Sequence, residues 1–329
     1  MAIVVSHLSY TYRGRIEPAL RDVSVTFRPG ELTLIAGASG CGKTTLVRCV
    51  NGLIPQSYAG GAMQGSVTLF GQNAAGLPLT RISQMAGTVL QDPERQIVAS
   101  GVLYEIAFGL ENLGLPRAEI LERVHDAARR LRIEHLLERQ TFSLSGGEKQ
   151  KVALAGVLAM RPRALLLDEP LASLDPASGH EALRMIRSLA DDGIAVVVIE
   201  HRVEDVLAFA PEHCIYMSQG AVAYDGDATG LMQAVDWREV KLPAPVVIER
   251  ARATARAAKR SDAVAGRQGD MLIRGRASLP LPRSPAPLHA HSPAPRHWSS
   301  CRMSTFATAM GRRCCAACRS PSMPAITLR

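Results

Sequence analysis

Gly37-Ala38-Ser39-Gly40-Cys41-Gly42-Lys43-Thr44 is the stretch whose reading decides the rest of the chain. It fits the pattern G-x-x-x-x-G-K-[ST]. The glycines let the backbone curl until successive N–H groups converge on one spot, a cradle for phosphate oxygens. A helix is predicted to follow, from Lys43 to about Asn51, and its positive dipole end aims at the same spot. Lys43 is suited to reach the terminal phosphates, Thr44 to hold Mg2+ through its hydroxyl, and Thr45 continues the same run. Upstream, Leu32-Thr33-Leu34-Ile35-Ala36 is a short apolar run of the kind that forms a buried strand. The loop therefore sits between strand and helix, as phosphate binding requires.

Working outward, Leu165-Leu166-Leu167-Asp168-Glu169 ends another apolar strand in two carboxylates. Asp168 is placed to assist Mg2+, usually through water, and Glu169 to polarise an attacking water. Residues 164–167 and 194–199 are continuous apolar runs and are predicted to be central strands of a parallel sheet, buried on both faces. Residues 3–12 and 23–27 are expected to form an antiparallel segment, with further strands at 66–70 and 86–90. Helices are predicted over 116–139 and 146–160. Residues 91–142 carry few strand signals and are expected to be a helical insert, about 92–143. The alternation of strands and helices predicts an α/β fold.

Leu144-Ser145-Gly146-Gly147-Glu148 resembles the L-S-G-G-Q signature of the ABC ATPase family, with Glu148 in place of the commonest Gln. Ser145 and the glycines can present hydroxyl and N–H donors at a helix N-terminus. The resemblance covers about residues 1–235. It implies a P-loop NTPase with a RecA-like core, an antiparallel β subdomain and a helical insert. It also implies that ATP, with Mg2+, lies between the P-loop of one cassette and Ser145-Gly146-Gly147 of a second, as homodimer or paired ATPases. Gln91 resembles the Q-loop glutamine, which touches Mg2+ and senses a membrane partner. Ser173-Leu174-Asp175 resembles the D-loop, and His201 the switch histidine at the γ-phosphate. The implied catalytic set is Lys43, Gln91, Glu169 and His201; the implied metal set is Thr44, Gln91 and Asp168. Tyr12 is expected to stack on adenine, with Tyr10 as the alternative. Neighbouring strand residues face opposite sides, so only one of the two is expected to do so.

A narrower resemblance joins Gln91-Asp92-Pro93-Glu94-Arg95-Gln96 to the Q-loop of energy-coupling factor importers, which take up vitamins and transition-metal ions. Ile199-Glu200-His201-Arg202 resembles the switch region of members that fuse two cassettes in one chain. The implied role is an ATP-hydrolysing subunit at the cytoplasmic face of a membrane, bound to an integral membrane partner. A soluble ABC-type ATPase is the alternative, although the long inserts and heptads usual there are missing. A non-hydrolysing binding module is disfavoured because each catalytic position holds a competent residue. The transported substrate is not legible, since such a subunit does not touch it.

Charge divides the chain. Residues 1–240 hold 22 Lys/Arg and 27 Asp/Glu, a net of −5; residues 241–329 hold 16 and 3, a net of +13. The basic balance belongs to the tail, so nucleic-acid binding is not expected of residues 1–240, the anticipated ATP-binding domain. Cys41, Cys49 and Cys214 show no disulfide or metal spacing, as suits a reducing compartment. No signal peptide and no membrane-spanning apolar window is evident, so other chains are expected to form any membrane path. Residues 241–329 turn to Ala-Arg repeats and then to Pro, Ser, Arg and His, and are expected to be a disordered basic tail.

The tail also carries a second message. Back-translate residues 301–329 with permitted codons and read from the third base of the Cys301 codon. One allowed product is P-D-V-D-F-R-Y-G-D-G-T-P-V-L-R-G-V-S-L-T-I-H-A-G-D-Y-L-A. It resembles the chain's own start, where Tyr10-Thr11-Tyr12 precedes Ala19-Leu20-Arg21-Asp22-Val23-Ser24-Val25 and Pro29-Gly30-Glu31. A frame shift between about Pro243 and Cys301, in a gene for two fused cassettes, is the expectation.

Overall fold

Consecutive buried residues in short strands set the architecture of the computed structural model, which describes residues 1–172, 174–235, 242–244 and 246–252. The strands are β1 (Ile3–Thr11), β2 (Leu20–Phe27), β3 (Leu32–Ala36), β4 (Ala62–Leu69), β5 (Gln72–Asn73), β6 (Ala86–Val89), β7 (Ala164–Asp168), β8 (Ala195–Ile199), β9 (His213–Ser218) and β10 (Ala221–Gly226). The helices are α1 (Lys43–Val50), α2 (Leu53–Gln56), α3 (Leu79–Met85), α4 (Val102–Asn112), α5 (Arg117–Arg130), α6 (Gly146–Ala159), α7 (Pro176–Asp191), α8 (Val203–Leu207) and α9 (Ala228–Ala234).

Two sheets result. One has the order β2-β1-β4-β5, and the other β10-β9-β3-β8-β7-β6. Pairings in the first are antiparallel; in the second β9-β3-β8-β7-β6 are parallel. All five residues of β3, β7 and β8 are buried, which is why each reads as an unbroken apolar run. Their side chains alternate between two cores. Leu165 and Leu167 pack with Ile106, Val152 and Leu183 from the helical side. Leu166 packs with Leu46, Val50, Val67 and Val197 beneath the antiparallel sheet. Strand β7 is thus part of the partition between the two cores, and its polar end emerges at Asp168.

The structure departs from the sequence reading in four places. The helix predicted over 116–139 ends at Arg130, because Arg132 turns left-handed (φ 56). The Ile133 N–H then reaches back to the Ala128 carbonyl at 2.9 Å, and Leu131 and Ile133 are both buried. Residues 176–191 form a helix, and residues 213–226 form a hairpin at the sheet edge, neither of which was anticipated. Between Pro93 and Ser143 the elements are helices and short 3-10 turns, with one isolated antiparallel bridge between Gly101 and Gln140. Of the tail expected to be disordered from residue 241, residues 246–252 are instead helical and Leu242 is buried, with the Val246 and Val247 N–H groups bonded to the Pro243 carbonyl. The boundary near residue 240 falls among residues 236–241, and the rest of the tail and the frame shift concern residues 253–329. Both lie outside the described residues. Among the described residues no helix is long and apolar enough to cross a membrane.

Leu166→Ala removes a fully buried side chain between two layers. It should lower unfolding free energy by about 2–5 kcal/mol. Denaturant titration at unchanged slope measures this, and a loss well under about 1 kcal/mol would show that the two cores collapse around the gap.

Candidate active site

The loop between β3 and α1 has its shape because three glycines adopt positive φ: Gly37 (153°), Gly40 (77°) and Gly42 (110°). A Cβ on Gly37 would lie 2.4 Å from the Met217 carbonyl oxygen, and one on Gly42 2.7 Å from that of Ala19. The loop is therefore pinned between β9 and the entry to β2, and no side chain fits at either point. Ser39 and Gly40 form its exposed rim, while Ala38 is half-buried. Cys41 is buried beneath the rim, which pushes its thiol pKa up and leaves it unreactive.

Lys43 opens α1 and is only 5% exposed. Its Nζ donates to the carbonyls of Gly37 at 2.7 Å and Ala38 at 2.9 Å. Among the described residues no carboxylate forms an ion pair with it. A buried cation satisfied only by neutral carbonyls favours the arrival of an anion. The residues therefore fit a phosphate group in this cradle.

Four strand ends bring the remaining groups together. Asp168, the last residue of β7, accepts the Thr44 hydroxyl at 3.3 Å. Burial pushes its carboxyl pKa up, against the pull of Thr44. Glu169 follows with φ 51, an uncommon conformation for a non-glycine residue. Its N–H donates to the Ile199 carbonyl at 2.9 Å, tying it to the end of β8. Its carboxylate takes the Gln91 amide at 2.7 Å on one oxygen and lies 3.1 Å from the His201 Nε2 on the other. Gln91 comes from the loop after β6 and His201 from the loop after β8. Thr44 and Asp168 together offer hard oxygen donors of the type Mg2+ takes, the balance of ligands normally coming from phosphate and water. Among the described residues there is no cluster of three or more His, Cys, Asp or Glu able to hold a metal on its own.

Tyr10 and Tyr12 require a correction. They are two residues apart, so they share a face of the strand, and their rings meet edge to face at 4.8 Å. Burial separates them instead: Tyr10 is 1% exposed, whereas Tyr12 is half-buried, its hydroxyl 3.1 Å from Thr45 Oγ1. Thr45 is itself buried on α1, so the structure joins it to Tyr12.

Ser145, Gly146 and Gly147 are not brought to the P-loop within this chain. Ser145 caps α6, and its hydroxyl and N–H both donate to the Glu148 carboxylate, at 2.8 and 2.7 Å. Those bonds hold the Glu148 carboxyl below the usual range. Ser145 and Gly147 line a hollow shared with Leu154, Leu174 and Ser178. Ser173 lies outside the described residues, and Asp175 caps α7.

A strand, a glycine loop with a buried lysine, and a facing Asp-Glu pair at the end of β7 define a P-loop NTPase. Residues 20–172 match the ABC transporter family. A protein of Lactiplantibacillus plantarum named as an ABC transporter ATP-binding protein is 44% identical over 235 residues, 71% of this chain and 41% of its own length. A Bacillus subtilis protein named for HMP/thiamine import is 39% identical over 233 residues, 70% of this chain and 42% of its own. The chain thus spans about two fifths of the length of these curated relatives. CbiO1 of Clostridium perfringens, described as part of the ABC transporter complex CbiONQ, superposes with TM-score 0.63 at 29% identity, covering 75% of this chain and 98% of that one. A dimeric bacterial ABC transporter cassette gives TM-score 0.60 at 27% identity, covering 68% and 98%. The described domain is an ATP-binding, ATP-hydrolysing cassette.

Lys43→Ala removes the one cation at the centre of the loop. ATP affinity measured by calorimetry should fall about 10- to 100-fold, the worth of one or two charge-assisted hydrogen bonds. An unchanged affinity would separate Lys43 from the phosphates.

Proposed function

We propose that this cassette is the ATPase motor of a membrane importer of the energy-coupling factor type, working at the cytoplasmic face as a peripheral subunit. The observation that carries the chemistry is the convergence of Gln91 and His201 on the Glu169 carboxylate. In the proposed roles, the N–H groups of residues 37–45 and the Lys43 ammonium receive the phosphates, and Tyr12 carries the adenine. Thr44, Asp168 and Gln91 hold Mg2+, which when bound neutralises charge on the phosphate oxygens. Glu169 accepts a proton from water as its oxygen attacks the γ-phosphorus, and the bridging oxygen leaves with ADP. His201 contacts the γ-phosphate.

The signature residues Ser145, Gly146 and Gly147 point to a second cassette, because their own P-loop is not what they face. Head-to-tail pairing places them on the ATP of the partner cassette. In support, one solved relative is a dimer. Each ATP then makes contacts only in the closed pair, which is the differential affinity needed to drive closure.

A docking face for the membrane partner is proposed on the helical insert. Val98, Tyr104, Phe108 and Phe142 are large apolar residues left exposed there, with Leu90 beside Gln91. Tyr104 and Phe108 are one turn apart on α4, and Val98 and Phe142 flank the bridge between Gly101 and Gln140. Exposed apolar residues gathered this way mark interaction surfaces. Import is supported by the name of the Bacillus relative, and a place in a transporter complex by the description of CbiO1.

Glu169→Gln should cut ATP turnover about 10²- to 10⁴-fold while leaving ATP binding in place. With ATP, sizing chromatography should then show a paired species if a second cassette is supplied or the chain pairs with itself. Turnover unaffected by the change would sink the mechanism, and failure to co-purify with any integral membrane protein would sink the importer reading.

A further inference from the structure

Glu200 has no place in the chemistry above, yet it is the most thoroughly buried carboxylate among the described residues, at 2% exposure. It follows the last residue of β8 and precedes His201. One of its oxygens accepts the Leu171 N–H at 2.7 Å, and the other accepts the His201 N–H at 3.2 Å. Among the described residues no cation forms an ion pair with it; the adjacent Arg202 is turned to Asp205 at 2.6 Å. The carboxylate is therefore held by backbone N–H groups from two different loops. The Arg202 N–H also bonds to it, and a buried carboxylate held only by such backbone donors is costly to release, so the two loops are kept in one arrangement.

Those loops carry the reacting pair. Leu171 lies two residues after Glu169, and His201 is the residue that meets it at 3.1 Å. The Glu169 N–H is bonded to the Ile199 carbonyl, immediately before Glu200. We infer that Glu200 is a positioning residue: it braces the Glu169 turn against the His201 loop and so fixes the distance between the two side chains. This rests on the roles proposed for Glu169 and His201. Misplacing such groups by about 1 Å costs about 10²-fold in rate.

The test compares Glu200→Ala and Glu200→Gln in the full chain. Ala removes both acceptors. Gln keeps the shape and one acceptor for Leu171, but turns an amide NH2 toward the His201 N–H. In Ala, kcat should fall about 10- to 100-fold with KM for ATP little changed. Gln should recover part of the loss. The NMR signal of the His201 Nε2 should shift in both variants, since its bond to Glu169 is altered. Loss of kcat and ATP binding in proportion, with a matching fall in stability, would reduce Glu200 to a structural part and overturn the inference. Should Ala fail to fold, Gln decides alone by the same split. The two ideas fail differently: unaffected turnover in Glu169→Gln sinks the mechanism, whereas a dead Glu169→Gln with a fully active Glu200→Ala sinks only the brace.

A second inference comes from the tail and is carried by a different observation. In the shifted reading of residues 301–329, the product matches Tyr12, Pro18, Leu20, Arg21, Val23, Ser24, Thr26 and Gly30 of this chain, with one residue skipped near Glu17. The buried positions of β2 are Leu20, Val23, Val25 and Phe27. The product places Leu, Val, Leu and Ile there, so a core-facing pattern survives in a frame the chain does not use. The Leu at the first of these is forced: a Cys314 codon ends in T or C, the Cys315 codon begins TG, and TTG and CTG both encode Leu. The curated relatives are longer than this chain by a margin with room for another cassette. We propose that the gene encodes a second cassette past a single frame change between about Pro243 and Cys301, and that this cassette is the partner of the first. Sequencing the gene and its transcript decides it. The frame beginning at the third base of the Cys301 codon should run beyond the Arg329 codon to a second G-x-x-x-x-G-K-[ST] about 7 residues after its Gly30 counterpart, as in this chain. A stop codon before any such loop overturns the proposal.

Discussion

Parallel register between β3, β8 and β7 is the constraint on which the site depends. Ile35 pairs with Ile199, and Ile199 with Asp168, so three chain segments leave the sheet at one level and in one direction. The P-loop, the His201 loop and the Asp168-Glu169 pair are the next residues on each. A slip of one residue in any strand would exchange its side chains between the two cores, and the different shapes to be filled on the two sides oppose it. The points at which the site loops leave the sheet are therefore set by packing far from the polar groups, in Leu166, Val197 and Leu34.

That dependence explains what was legible in the sequence. A buried parallel strand is an unbroken apolar run, and a phosphate loop needs glycine where a Cβ would strike backbone. Both are local statements, so residues 32–44 and 164–169 could be read directly. The hairpin at 213–226 could not, because β10 alternates only half-buried and exposed residues and gives a weak pattern. Helix α7 was announced by Asp175 followed by Pro176, a start signal that competed with the reading of Asp175 as part of the D-loop. The break after Arg130 hides inside a good helical period, since Leu131 and Ile133 are buried by leaving the helix, not by continuing it. Tyr10 and Tyr12 share a face, so only their burial, which depends on Tyr58 and α1, tells them apart. The join between Gln91 and Glu169, 78 residues apart, and the brace at Glu200 are long-range contacts that no local pattern encodes.

Three of the side chains proposed to act around the nucleotide already have partners inside the chain. Lys43 holds the carbonyls of Gly37 and Ala38, Glu169 holds Gln91 and His201, and Ser145 holds Glu148. Binding then exchanges hydrogen bonds instead of creating them, so the net gain per contact is a small difference between two good arrangements. Small differences suit a motor, which must release its product as readily as it binds its fuel.

The exchange is not equally easy at the three points. Lys43 gives up neutral carbonyls for charged phosphate oxygens, which is downhill. Ser145 gives up a carboxylate, and Glu148 would then stand near an arriving phosphate with its own negative charge. Arg139, 3.1 Å from Glu148, can take that charge over when Ser145 turns away. A Gln at this position would need no such relief, so the Glu148–Arg139 pair is the local consequence of the one departure in the signature. Closure of the proposed pair therefore depends on a contact outside the signature itself, on the loop that ends the helical insert. The same insert carries the exposed apolar residues of the proposed docking face, which gives a physical route by which a membrane partner could bias the readiness of Ser145.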